Sequence, residues 1–164
     1  MQTELMECED RRISLSRPSD MRNSTNFHWS FRADLKEVRE TLRRVAECFS
    51  HQITADESGT LELVLAEVMN NIVEHGFAGL AAGTITVSIT REPESLRCQV
   101  IDQGRPMPGL KLPDCKIRPV ANCIGELAEG GCGWGLIGAL TDDLAYRRSA
   151  ATNYVCFAVP VLAR

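Results

Sequence analysis

Two short alternating runs constrain this chain most. Residues 84–90 read TITVSIT, with Ile85, Val87 and Ile89 on one face and hydroxyl residues on the other, and residues 96–101 read LRCQVI. Period-two alternation marks a strand with one buried face. The turn between them, 92–95 with Pro93, is hairpin-length. Parallel neighbours need a crossover of about a dozen residues or more, so this pair is antiparallel.

The remaining elements fall around that hairpin. Phe27, Trp29 and Phe31 alternate with His28, Ser30 and Arg32, which predicts a strand. Asp34 with Glu37 three positions on predicts a reciprocal helix cap, and Leu35, Val38, Leu42, Val45 and Phe49 keep helical spacing to about Ser50. The opposite face carries Lys36, Arg39, Glu40, Arg43 and Arg44: a solvated face, or one that meets an acidic partner. A second helix covers residues 61–76, with Asp56 or Ser58 as its cap and Gly76 as a left-handed stop. Residues 104–119 form a long proline-bearing loop, with a short helix expected over 120–128. A glycine run at 130, 131, 133 and 135 then leads into a helix carrying Leu136, Ile137 and Leu140. Residues 144–148 and 154–159 are two further strands, joined by 149–153. The order β, α, α, β, β, loop, α, β, β predicts an α+β two-layer sandwich, a mixed, mainly antiparallel sheet with helices on one face.

Residues 1–25 lack a sustained apolar period and read as a flexible N-terminal extension, leaving 26–164 as one domain. A net charge of −4 makes no case for nucleic acid or an anionic membrane as main partner. No apolar run approaches the roughly 20 residues that span a bilayer, and the start, MQTELMECEDRR, is unlike a secretory signal, so a cytoplasmic location is expected. The seven cysteines are odd in number and form no CxxC pair, which argues for reduced thiols; Cys115, Cys123 and Cys132 lack the spacing of a metal site.

Three groups could carry chemistry. On the second helix Glu67, Asn71 and His75 step by four, drifting only about 40° each time, and so form one polar stripe. By itself this is equally the solvated face of an ordinary amphipathic helix. Asp102 ends a strand just before Gly104: a strand-end cap, or a buried carboxylate able to accept from an exocyclic amine. The glycine run ahead of a helix can cradle an anion, since backbone N–H groups converge there and the helix dipole favours negative charge. It is neither a P-loop nor a dinucleotide fingerprint. Asn71 is a neutral oxygen ligand suited to Mg2+ shared with phosphate oxygens, and Glu67 a candidate general base. Together they describe an ATP-handling site.

The boxes ExxxNxxxHG (Glu67, Asn71, His75, Gly76), DxGxP (Asp102, Gly104, Pro106) and GxGxGL (Gly131, Gly133, Gly135, Leu136) resemble those of the GHKL ATPase superfamily, and within it the small RsbW-type anti-sigma-factor serine kinases. The resemblance covers roughly residues 26–160. It implies the Bergerat ATP-binding fold, with Mg2+ on Asn71, adenine on Asp102, and Gly131, Gly133 and Gly135 beside the phosphates. It also implies that Glu67 acts as base toward a serine of a STAS-type anti-sigma-factor antagonist. A sequestered sigma factor, a homodimer and a lid over 105–130 complete the expectation. His75, Gly104, Leu136 and Asn153 are further candidate nucleotide contacts; His75 could equally only shape the helix end. Two departures bear on phosphoryl transfer rather than on nucleotide binding. Arg105 and Pro106 stand where many relatives have a second glycine, and no arginine precedes the last glycine box, although Arg118 is available. The alternative to a kinase is an ATP-binding partner-switching module without that activity.

Overall fold

The computed structural model describes residues 25–113 and 133–163. The strands are β1 (Asn26–Arg32), β2 (Thr84–Arg91), β3 (Ser95–Asp102), β4 (Asp142–Ser149) and β5 (Thr152–Pro160). The helices are α1 (Leu35–Phe49), α2 (Ala55–Asn71) and α3 (Gly133–Leu140). A five-stranded sheet in the order β1-β2-β3-β5-β4 is antiparallel at every ladder. The expected two-layer α+β sandwich is formed, and its sheet is antiparallel throughout rather than mixed.

Register explains where the core lies. Opposed pairs such as Val87↔Val100 and Ile89↔Cys98, then Leu96↔Val159, Cys98↔Phe157 and Val100↔Val155, put one apolar row across three strands. All of these side chains are buried, against Val64, Leu65, Val68 and Met69 of α2 and Val38, Val45 and Phe49 of α1. Each such side chain taken from water contributes about 1.5–3 kcal/mol before chain entropy is subtracted. The same row ends in the pair Asp102↔Asn153, both polar and both buried.

Several local expectations are corrected. The cap at Asp34 is only half formed: its side chain accepts from the Glu37 N–H at 2.9 Å, whereas its own N–H is already bonded to the Arg32 carbonyl. Helix α2 starts earlier than its apolar period. Its cap is Thr54, not Asp56 or Ser58, and here the box is reciprocal: Thr54 Oγ1 accepts from Glu57 N–H and Glu57 accepts from Thr54 N–H. Gly76 does not stop the helix in a left-handed conformation; among the described glycines only Gly79 and Gly109 have positive φ. Instead α2 widens into a π-turn over Ile72–Gly76, closed by Phe77 N–H donating to the Ile72 carbonyl at 3.0 Å. Strands β4 and β5 extend beyond their predicted ends and are joined by Ala150 and Ala151 alone, with Ala150 at φ 51°. The extension 1–24, the helix expected at 120–128, Arg118, Gly131, and Cys115, Cys123 and Cys132 lie outside the described residues.

Because Thr54 satisfies a helix-end N–H that would otherwise lose its partner, Thr54→Ala is expected to lower stability by about 1 kcal/mol. Urea unfolding should show a lower midpoint at unchanged slope; an unchanged midpoint would show the cap to be idle.

Candidate functional site

The polar pair that ends the apolar row opens onto a cavity of about 430 Å³. Asp102 and Asn153 line it from the sheet, Asn71, Ile72 and His75 from α2 and its π-turn, and Trp134 from α3. Arg105 to Pro108 supply another wall. Asn71 and His75 of the helix stripe therefore face one space with Asp102.

Asp102 is 3% exposed. Its Oδ1 accepts from Gly104 N–H at 2.7 Å and from Asn153 Nδ2 at 2.9 Å. Oδ2 takes no hydrogen bond among the described residues. Burial raises the carboxyl pKa; the bonds from Asn153 and Gly104 and the charge of Arg148 oppose that rise. Oδ1 thus serves the strand-end cap, and the carboxylate is buried as well.

On the helix, Asn71 Nδ2 donates to the Glu67 carbonyl at 2.8 Å. This bond uses the amide nitrogen and orients the carboxamide. Glu67 is half-buried and does not line the cavity; its carboxylate lies against Gly133. A Cβ on Gly133 would fall 2.6 Å from Glu67 Oε2 and 3.6 Å from Asn71 Nδ2. The third sequence group therefore meets the first at Gly133. The helix takes in both Gly133 and Gly135 instead of starting after them, and Gly135 is buried.

Other candidates fall differently. His75 is exposed on the cavity rim, while Leu136 is 37% exposed and outside the lining. Gly104 is buried behind the wall: a Cβ there would lie 2.8 Å from both the carbonyl carbon and oxygen of Gly76. That approach is fixed by Arg105 N–H donating to the Gly76 carbonyl at 2.8 Å. Asn153 uses its amide on protein groups: Nδ2 bonds Asp102, Gly104 O and Arg105 O, and Oδ1 accepts from Tyr146 and Arg148. Trp134 both lines the cavity and packs on the core.

Sequence reasoning missed Tyr146, Arg148 and Met107. A signal existed: Tyr146 and Arg148 alternate with Leu144 on the inward face of β4, where apolar residues are the rule, and Arg148 pairs in register with Asn153.

The chain matches the family described as Histidine kinase-like ATPase domain over residues 31–159. It belongs to that family. It is similar to two anti-sigma F factors of Bacillus licheniformis, each 24% identical over 127 residues, covering 76% of this chain and 83% of the relative. In fold it is similar to a solved structure of the RsbU and RsbW domains of a Mycobacterium tuberculosis protein, with TM-score 0.57 and 17% identity over 85% of this chain. That match spans only 34% of the longer mycobacterial chain.

The residues present fit the nucleotide that this family name implies, with a metal ion beside it. Asn71 Oδ1 is a hard neutral oxygen, suited to Mg2+ that completes its shell from phosphates and water. Among the described residues no cluster of three or more His, Cys, Asp or Glu offers an all-protein metal cage.

Gly104 and Gly133 separate two kinds of glycine requirement. Gly104→Ala would push a methyl group into backbone and should cost about 1–3 kcal/mol. Gly133→Ala meets the mobile end of Glu67 and should be neutral or stabilise by up to about 1 kcal/mol. Equal unfolding midpoints for the two variants would contradict this geometry. Asp102 gives a pH signature. Its folded pKa lies above its unfolded one, so the native state holds the proton longer and stability falls as pH rises from the ordinary aspartate range through the raised value. Asp102→Asn removes that titration; its stability relative to the parent should climb across that window and level off above it. A pH-independent difference would refute the shift.

Proposed function

We propose that this chain is an ATP-binding anti-sigma protein that holds a sigma factor inactive and phosphorylates a STAS-type antagonist on serine. The family and the similarity to anti-sigma F factors support the ATP-binding anti-sigma part. The observation that carries it is a single cavity lined by both a buried carboxylate, Asp102, with one oxygen uncommitted among the described residues, and an oriented carboxamide, Asn71.

In this reading Asp102 Oδ2 accepts from the exocyclic amine of adenine. Asn71 Oδ1 holds Mg2+, and Gly131, Gly133 and Gly135 lie beside the phosphates. His75 contacts the nucleotide at the rim. Bound Mg2+ supplies neutralisation of the charge that builds on the phosphates during transfer. Glu67 takes the proton of the attacking serine hydroxyl. The same reading carries a homodimer in the cytoplasm. A second reading, a partner-switching module without kinase activity, is favoured by Glu67 standing outside the cavity lining and by Arg105 in place of a second glycine.

Incubation with labelled ATP, Mg2+ and a STAS-type partner separates the two. The kinase reading expects label on a partner serine, reduced at least about a hundredfold by Glu67→Ala with ATP affinity retained. Tight ATP binding without label leaves the module. Absence of ATP binding removes both.

A further inference from the structure

Asn153, Tyr146 and Arg148 form a connected set behind Asp102. Tyr146 Oη accepts from Met107 N–H at 3.1 Å and donates to Asn153 Oδ1 at 2.8 Å. Arg148 Nη1 donates to the same Oδ1 at 2.5 Å and to Gly104 O at 3.1 Å. Asn153 Nδ2 donates to Asp102 Oδ1 and to the carbonyls of Gly104 and Arg105.

Donor counting fixes the direction of every bond. Arg148 is donor-only, and Met107 N–H is a donor. Tyr146 Oη, accepting from Met107, has its proton free for Asn153. With two donors on its oxygen, Asn153 cannot turn its amide over without opposing N–H to N–H. Its Nδ2 must therefore face Asp102, and Asp102 Oδ1 receives Asn153 and Gly104 together. Both donors favour the ionised carboxylate over its protonated form, and the ionised Oδ2 accepts at the cavity. An acceptor there pairs with an amine and opposes a carbonyl oxygen.

We infer that Tyr146 and Arg148, acting through Asn153, are positioning residues that set the donor–acceptor polarity of Asp102 and so make the pocket select 6-amino over 6-oxo purine nucleotides. This rests on the assignment of Asp102 to the base. The set also pins the wall 104–107 to β4 and β5. Asn153 thereby acts by orienting Asp102 rather than by touching the base.

The test compares dissociation constants for ATP and inosine triphosphate, with urea midpoints as a folding check, in the parent, Asp102→Asn, Tyr146→Phe and Arg148→Met. Tyr146→Phe keeps the ring against the cavity and deletes only the hydroxyl. One neutral hydrogen bond of positioning corresponds to about a three- to tenfold fall in the ATP preference. We expect that fall in Tyr146→Phe and at least as large a fall in Arg148→Met, with the inosine nucleotide affinity little changed. Asp102→Asn should abolish the preference. If both nucleotides weaken equally and the ratio holds, Tyr146 and Arg148 only shape the pocket and the inference fails. If Asp102→Asn lowers the ratio but neither other variant does, the relay alone is refuted. If Asp102→Asn leaves the ratio intact, the base assignment falls, and the relay with it.

Discussion

The structure depends on burying one carboxylate. Asp102 ends a row of apolar side chains on β3 and is almost wholly removed from water. An unsupported charge there would be very costly. Two N–H donors on one oxygen, with a guanidinium nearby, reduce that cost. Each donor then imposes a further condition. The Gly104 N–H requires a tight turn after the strand, and that turn brings Gly104 against the Gly76 carbonyl, where a side chain has no room. The Asn153 amide requires its own oxygen to be occupied, which recruits Tyr146 and Arg148 from the last strand pair.

The end of α2 answers the same demand. An ordinary helical stop would close on i→i+4 bonds. The π-turn closes on an i→i+5 bond, Phe77 to Ile72, while the Gly76 carbonyl is taken by Arg105 N–H. Helix, strand end and the 104–107 wall are thereby tied at one point beside the cavity. Such single-turn widenings recur at functional sites. Here the widening also keeps His75 on the cavity rim one turn beyond Asn71.

Glycines in the boxes do different things. Gly133 permits α3 to approach Glu67 and Asn71, so its requirement is set by side chains that can move. Gly104 permits two backbone segments to touch, and its requirement is rigid. A reading of glycine runs as anion cradles alone would not separate these cases, because the sequence records the missing side chain and not the neighbour that excludes it.

By itself the sequence determined the five strands, the three described helices and the antiparallel pairing within the hairpin β2–β3. Period-two and 3.6-residue patterns are local records of which face is buried, and the hairpin-length links of β2–β3 and β4–β5 leave no room for parallel crossovers; the pairings β1–β2 and β3–β5 join strands far apart in the chain. It also named Asp102, Asn71 and Glu67 as residue types able to serve a nucleotide. Only the tertiary structure decided that Asp102 and Asn71 share a cavity while Glu67 lies against Gly133. It alone showed Asn153, a cavity-lining residue, donating to Asp102, 51 positions away. It likewise joined Met107 to Tyr146 across 39 residues. Contacts of that separation leave no periodic trace in the chain; the first arises where strand register sets Asp102 and Asn153 opposite each other in an otherwise apolar face, the second where the segment after β3 folds back over β4.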